Sequence, residues 1–538
     1  MIDPLFARTQ LNMRRYTCYV TLAHSHTRTL AHSHTRTLAA ILMLVALLAV
    51  ECLPALAAPV EALNLKDTKP TIRILIPNSV EDYSSYPTAL DIESITGYHA
   101  EYDMLPADNA NDKLNLIMAA QEDYDIIQAG SPDLIMQYAR EGAVTELSQF
   151  FGVAPNLAAA LNTVERAAYT LDGGIYGIGM QSLFFKDDEG NYLGEIRELP
   201  FYRKDWADTL GIAMPTTIDE FTDMLRAFKT YDNGTGVPTI PMTADTNMQI
   251  SGILGAFGVP NGWNVVDGKL ENRVTDPRFK EYLAYMKSLF AEGLLDNEFP
   301  ANKGANKMER YASGAAGVAY FGYWDTPALY DAMTKTQPDH QTQVLAPLEG
   351  PHGRAIGSSV GGFDRNAFVP AVTKNLDDVI NYINLKLDVE TQKIITIGYE
   401  GVDYYMKGEE YWPILPTFFD HRGASNFYTG RYSDYYPTWW LCRARKDERQ
   451  YANWEYMNYS DEVAPYNETT LVGMAPTFES VALNLPSLNT MLNDELVKVI
   501  AGEHTLTDYD AFVVDWLAAG GQEMIDEYNT WWAGFELK

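Results

Sequence analysis

The chain has 538 residues, 46% of them hydrophobic and 21% charged. That balance excludes wholesale disorder and leaves room for two or more domains with large cores. A formal net charge of −32 at pH 7 repels phosphate backbones and anionic bilayers, so nucleic acid and acidic membrane surfaces are poor partners.

The first 57 residues differ from the rest. Ala39–Val50 is an apolar run of 12 residues, too short to span a bilayer and suited to the core of a signal peptide. Arg14, Arg15, Arg28 and Arg36 precede it, and Ala55-Leu56-Ala57 follows as an A-x-A cleavage site. Cleavage is expected near Ala57. Lipidation at Cys52 is the disfavoured alternative, because Glu51 stands where a small residue is needed. An octapeptide at Thr21–Arg28 repeats unchanged at Thr29–Arg36. Its four histidines lie in the segment to be removed, and Met13 is an alternative start. Beyond the leader only Cys442 remains, so no intramolecular disulfide is expected. His99, His340, His352, His421 and His504 are too scattered to suggest a metal site.

From Ile72 the chain alternates strand and helix. Strands are predicted at Ile72–Ile76, Tyr98–Met104 and Tyr124–Gln128, with helices at Tyr86–Ile95, Asp108–Ala120 and Asp133–Gly142. This pattern gives a parallel sheet covered on both faces, with ligands bound outside the carboxyl ends of its strands. Asn78–Tyr83 and Gln128–Asp133 then share one binding edge. Leu199–Tyr202 is a short apolar run, expected to cross between units, with Arg203 at the mouth of a cleft. Asp205 is the expected cap of a helix ending at Gly211, and Thr217 with Glu220 forms a capping box ahead of Ile218, Phe221, Leu225 and Phe228 at helical spacing. A second alternating unit follows to about Leu345, with a helix at Asp276–Glu292 and a strand at Gly317–Gly322. Gly350–Gly362 reads as a crossing back. An aromatic- and arginine-rich region runs from Tyr404 to Tyr459, and the C-terminus from Leu492 is helical.

No catalytic motif is present: no nucleophile elbow, phosphate-binding loop, H-E-x-x-H or dinucleotide fingerprint. Asp232-Asn233-Gly234 lacks the spaced acids of a calcium loop and reads as a turn. Aromatics at strand ends are the sharper signal. A sugar offers apolar C–H faces to a ring and hydroxyls to Asp, Glu, Asn and Arg. Trp324 with Asp325, Trp263 beside Asn261 and Asn264, and Glu400 beside Tyr404 fit that pairing; packing in a core is the alternative for each ring.

The text at Asp172–Ile178, Phe201–Phe221, Ser313–Trp324, Gly398–Met406 and Phe512–Asn529 resembles the extracellular solute-binding proteins of carbohydrate ABC transporters (family 1), especially the long, often lipid-anchored kind from Gram-positive bacteria. The resemblance implies an α/β, two-lobed periplasmic-binding-protein-like fold (type II), with the ligand cleft between lobes joined by crossing hinge strands. It also implies that Trp324 stacks on sugar. The segment that often binds calcium in such proteins departs here at Tyr231–Met242, so no metal is carried over and no cofactor is expected.

The reading is an extracellular receptor that captures a mono- or oligosaccharide and delivers it to an ABC permease in the membrane. It is a monomer and not an enzyme, secreted or tethered to the outer face of the cytoplasmic membrane. The alternatives are a secreted glycan-active enzyme using paired carboxylates and a receptor presenting ligand to a sensor kinase. The expected lobes are 70–195 with 365–470, and 200–345 with 475–538. The expected ligand contacts are Tyr83, Ser131, Arg203, Trp263, Trp324, Asp325, Glu400 and Tyr404.

Overall fold

The computed structural model describes residues 59–77, 82–106, 109–182, 184–186 and 189–536. The leader, its cleavage site, Cys52 and residues 78–81 of the expected binding edge lie outside the described residues.

The first sheet is built as the alternation predicts. Strand β1 (Ile72–Pro77) leads through helix α1 (Pro87–Thr96) to β2 (Ala100–Leu105), then through α2 (Ala110–Ala120) to β3 (Ile126–Ile127) and α3 (Pro132–Arg140). The strands pair in parallel in the order β2-β1-β3, with Ile72 opposite Ala100 and Ile74 opposite Ile126. All five isoleucines of β1 and β3 are buried, as expected where helices cover both faces. Strand β4 (Ile178–Gln181) belongs to the same lobe.

The chain then passes Gly194 and enters β5 (Glu198–Arg203), α4 (Lys204–Leu210) and α5 (Ile218–Lys229). Helix α4 starts from Arg203, not Asp205, and stops at Gly211, whose φ of 69° is left-handed. Helix α5 has the predicted capping box. The Glu220 N–H donates to Thr217 Oγ1 at 3.2 Å, and the Thr217 N–H donates to Glu220 Oε2 at 3.3 Å. Its buried face is Ile218, Phe221, Met224, Leu225 and Phe228. Next come β6 (Ile240–Met242), a hairpin at Trp263–Val266 and Lys269–Asn272, α6 (Pro277–Ala291), α7 (Gly304–Ala312), β7 (Ala316–Gly322) and β8 (Thr342–Val344). The second sheet has the order β6-β7-β5-β8, with β5 antiparallel to both neighbours. Leu199–Tyr202 is therefore an interior strand of this sheet and not a crossing.

The crossings lie elsewhere. Strand β9 (Ile356–Gly361) runs into β10 (Phe363–Ala367), which pairs with β4. Helix α8 (Glu448–Tyr459) precedes β11 (Asn467–Gly473), which pairs in parallel with β9 before α9 (Glu479–Ala501) begins. The 194–198 segment lies against this pair: the Gly194 N–H donates to Thr469 Oγ1 at 3.1 Å. A Cβ on Gly194 would come within 2.7 Å of the Ser359 nitrogen, so only glycine allows this approach.

The buried side chains fall into distinct cores. One draws on residues 72–180 and 367–436, and another on 202–348 and 481–524. A third joins Leu199, Phe201, Phe321 and Leu329 to Trp454 and Met457. Helix α8 thus packs on the flank of the second sheet, so the run 365–470 is not wholly part of the first lobe. Much of the aromatic region is packing: Trp439 and Trp454 are buried.

Candidate functional site

The two sheets present strand ends to the region beside the crossings. In the second lobe, β7 ends at Gly322 and a short turn, Tyr323–Asp325, caps it. The Gly322 N–H donates to Asp325 Oδ2 at 3.0 Å. A Cβ on Gly322 would lie 2.4 Å from the Trp324 ring, so the missing side chain is what lets the indole fold over the strand end. Tyr323 is buried, whereas Trp324 is 39% exposed. Burial raises the Asp325 pKa, against the Gly322 N–H and Lys307, which lower it.

Because β5 runs antiparallel to β7, its first residues lie at this end: Glu198 is opposite Gly322. Arg197 precedes it. Its guanidinium sits 5.2 Å from the Trp324 ring, and its Nη1 donates to Asp364 Oδ1 at 2.8 Å. Arg431 from the first lobe reaches the other oxygen of Asp364 at 2.6 Å. Burial pushes the Asp364 pKa upward, but Arg431 and Arg197 together hold it below the ordinary value. Glu195 lies below, accepting from Trp454 Nε1 at 2.9 Å and from the Tyr323 hydroxyl at 3.1 Å. Burial pushes its carboxyl up to about 7 even with Arg197 opposing. Nearby, Lys307 pairs with Asp245 at 3.0 Å and stands 3.6 Å from the centre of the Tyr320 ring.

A second aromatic group surrounds Trp263, whose ring lies 4.5 Å from Tyr528, itself 5.0 Å from Phe478. A cavity of about 290 Å³ here is lined by Asn261, Trp263, Asn264, Arg278, Glu468 and Thr470. The Asn261 side chain donates to the Glu468 carbonyl at 2.8 Å and ties this wall to β11. In the first lobe, Ser131 caps α3, its hydroxyl accepting from the Leu134 N–H at 3.3 Å, and α3 packs against α9. Arg365 on β10 donates to Ser425 and Asn426, and Asn426 in turn reaches the Pro77 carbonyl at the end of β1.

The expected contacts therefore separate. Ser131, Trp263, Trp324 and Asp325 lie at strand ends or helix starts beside the crossings. Tyr83 is buried against Phe427, Tyr86 and Tyr102. Arg203 is a correction: it stands at the far end of β5 from Trp324, buried, held by Asp205 at 2.5 Å and Gln337. The direction of β5 puts Glu198, not Arg203, at the strand end that carries Trp324. Glu400 lies in an exposed turn before the hairpin Tyr404–Lys407 and Glu410–Pro413, and Tyr404 is buried with Phe418, Trp439 and Cys442. Neither lies at the end of a main-sheet strand. Arg197, Glu198, Asp364, Lys307 and Arg431, which the structure links to this strand end, are not among the expected contacts. The one available signal was charge at 195–198 and 364–365 inside otherwise apolar or glycine-rich crossings. Among the described residues no cluster of three or more His, Cys, Asp or Glu could hold a metal ion, and Asp232-Asn233-Gly234 is a turn closed by its own side chains.

Two α/β lobes with facing strand ends and paired crossing strands define a type II periplasmic-binding-protein fold. The model of the bacterial extracellular solute-binding protein family matches residues 93–384, and the chain belongs to that family. Lipoprotein LipO of Bacillus subtilis (strain 168) is 25% identical over 490 residues, covering 86% of this chain and 92% of that protein. The polygalacturonan/rhamnogalacturonan-binding protein YtcQ of the same organism is 24% identical, covering 82% and 86%. Among solved structures, the Streptococcus pneumoniae substrate-binding protein FusA in complex with kestose superposes with a TM-score of 0.66 at 18% identity, covering 86% of this chain and 99% of that one. Among the described residues no helix is long and apolar enough to cross a membrane.

Proposed function

We propose that this chain is the extracellular receptor of an ABC importer, taking a mono- or oligosaccharide between its lobes and passing it to a membrane permease. The observation that carries this reading is Trp324: a large ring left 39% exposed at a strand end, supported beneath by Tyr323 and edged by the Arg197 guanidinium. An aromatic face ringed by hydrogen-bonding groups suits the apolar face and polar rim of a sugar. The relative named for polygalacturonan and rhamnogalacturonan and the FusA–kestose complex support a saccharide as ligand. The contacts proposed are Ser131, Trp263, Trp324 and Asp325, joined by Arg197 and Glu198.

The mechanism is conformational. A ligand touching both walls favours the closed arrangement over the open one by its extra contacts, and the permease reads closure. No bond is broken, so the protein is a receptor and not an enzyme. It works as a monomer outside the cell, released or held at the membrane by its leader. The lobes proposed are 70–195 with 365–445, and 200–345 with 475–538, helix α8 riding on the second.

Calorimetric titration of the protein against a saccharide panel tests this. Saturable binding without turnover is expected, weakened at least tenfold by Trp324→Ala, equivalent to about 1.4 kcal/mol or more. Equal binding by both proteins overturns the stacking role, and product formation overturns the receptor.

A further inference from the structure

The wall around Trp324 has a definite charge character. Asp325 is folded back onto Gly322, and the cross-strand partner of Gly322 is Glu198. Asp245 follows β6 on the same sheet and holds Lys307 at 3.0 Å. The cations here make their ion pairs with other carboxylates. Lys307 serves Asp245, and Arg197 serves Asp364 at 2.8 Å with Glu195 at 3.7 Å behind it. Glu198 and Asp325 make no ion pair of their own among the described residues; Lys307 acts on both from a distance, Arg197 acts on Glu198, and both acids are partly shielded from water. A partly buried carboxylate accepts hydroxyl donors readily, whereas a second carboxylate brought beside it meets like charge at reduced dielectric.

We infer that the sugar unit seated on Trp324 is neutral, and that Glu198 and Asp325 exclude uronates from this position by accepting hydroxyl hydrogens and repelling a carboxylate. The inference rests on the saccharide-receptor reading and deepens it to a substrate class. Discrimination by like-charge repulsion is a specificity device separate from the affinity that stacking supplies.

The test uses matched ligands. Oligogalacturonides, and the same oligomers with each carboxylate reduced to a primary alcohol, differ only at C6, where a charged acceptor is replaced by a neutral hydroxyl. They are titrated by calorimetry alongside neutral fructan, galactan, xylan and mannan oligomers and alginate oligomers. The neutral class is expected to supply the ligand, with any charged counterpart at least about tenfold weaker at low salt. Glu198→Gln and Asp325→Asn, each checked for an unchanged far-ultraviolet spectrum and melting curve, are expected to narrow that ratio. Either variant suffices, since each removes one charge while keeping an acceptor oxygen. A uronate oligomer binding more tightly than its reduced form overturns the inference while leaving the receptor standing. A ratio unmoved in well-folded variants overturns the roles of Glu198 and Asp325. Failure of every saccharide to bind overturns both readings together.

Discussion

Arg197 and Asp364 form an ion pair at 2.8 Å that ties the start of β5 in the second lobe to the β10 strand of the first. The partners are not equal. Arg197 is half exposed, but Asp364 also neutralises Arg431, which is buried.

That asymmetry predicts different costs for removing each partner. Arg197→Ala should cost about 1 kcal/mol or less, since Arg197 is partly exposed and Asp364 keeps Arg431 as its partner. Asp364→Ala strands a buried guanidinium and should cost about 3 kcal/mol. Denaturant unfolding of both variants checks the order, which fails if Arg197→Ala is the more damaging.

Glu195 predicts a pH dependence. Its folded pKa is about 7 against an ordinary 4.5, so the native state holds a proton that the unfolded chain releases. Stability from this group is therefore lost as pH rises from about 4.5 through 7, a total of order 3 kcal/mol. Glu195→Gln should flatten that part of the curve. Thermal melts between about pH 5 and pH 8 decide it; parallel profiles for the two proteins would refute the assignment.

Gly322→Ala should act on the ligand and not on the fold. The nearest atoms the added Cβ meets belong to the Trp324 ring, at 2.4 Å, and a partly exposed ring can swing outward. Saccharide affinity should fall by about tenfold with the melting temperature changed by only a few degrees. Unaltered affinity would show that the ring does not need its present seat.

Thr217→Ala tests the opposite case. It removes the oxygen that accepts from the Glu220 N–H and should cost about 1 kcal/mol of stability. Ligand affinity should stay the same, because α5 serves the core of its lobe. A large affinity loss would place this helix nearer the site than its contacts indicate.

How much of this was readable in advance follows from the range of each interaction. The capping box at Thr217 and Glu220 and the helix end at Gly211 are local, and periodicity with turn chemistry gave them. Helix Pro277–Ala291 and strand Ala316–Gly322 also fell within a residue of expectation. The position of Trp324 at a strand end was legible because glycine before an aromatic there is local too. Arg203 was misplaced because a strand's direction in its sheet is a tertiary fact, and a one-dimensional reading cannot tell which end meets the cleft. Arg197 and Asp364 are 167 residues apart, so no window contains both. Tyr83 and Tyr404 illustrate a chemical ambiguity: tyrosine serves equally in cores and at sugar-facing surfaces.

The interleaving of the lobes bears on how the chain acquires its shape. The Tyr98 hydroxyl donates to Asp378 across 280 residues, and Thr88 reaches the His421 carbonyl across 333. The N-terminal sheet thus cannot complete its interior until nearly four-fifths of the polypeptide is available. Folding must wait for late residues, and closing such long loops is slow. A chain that stays unfolded while it is being made is one that a secretion channel, which passes extended polypeptide, can still carry.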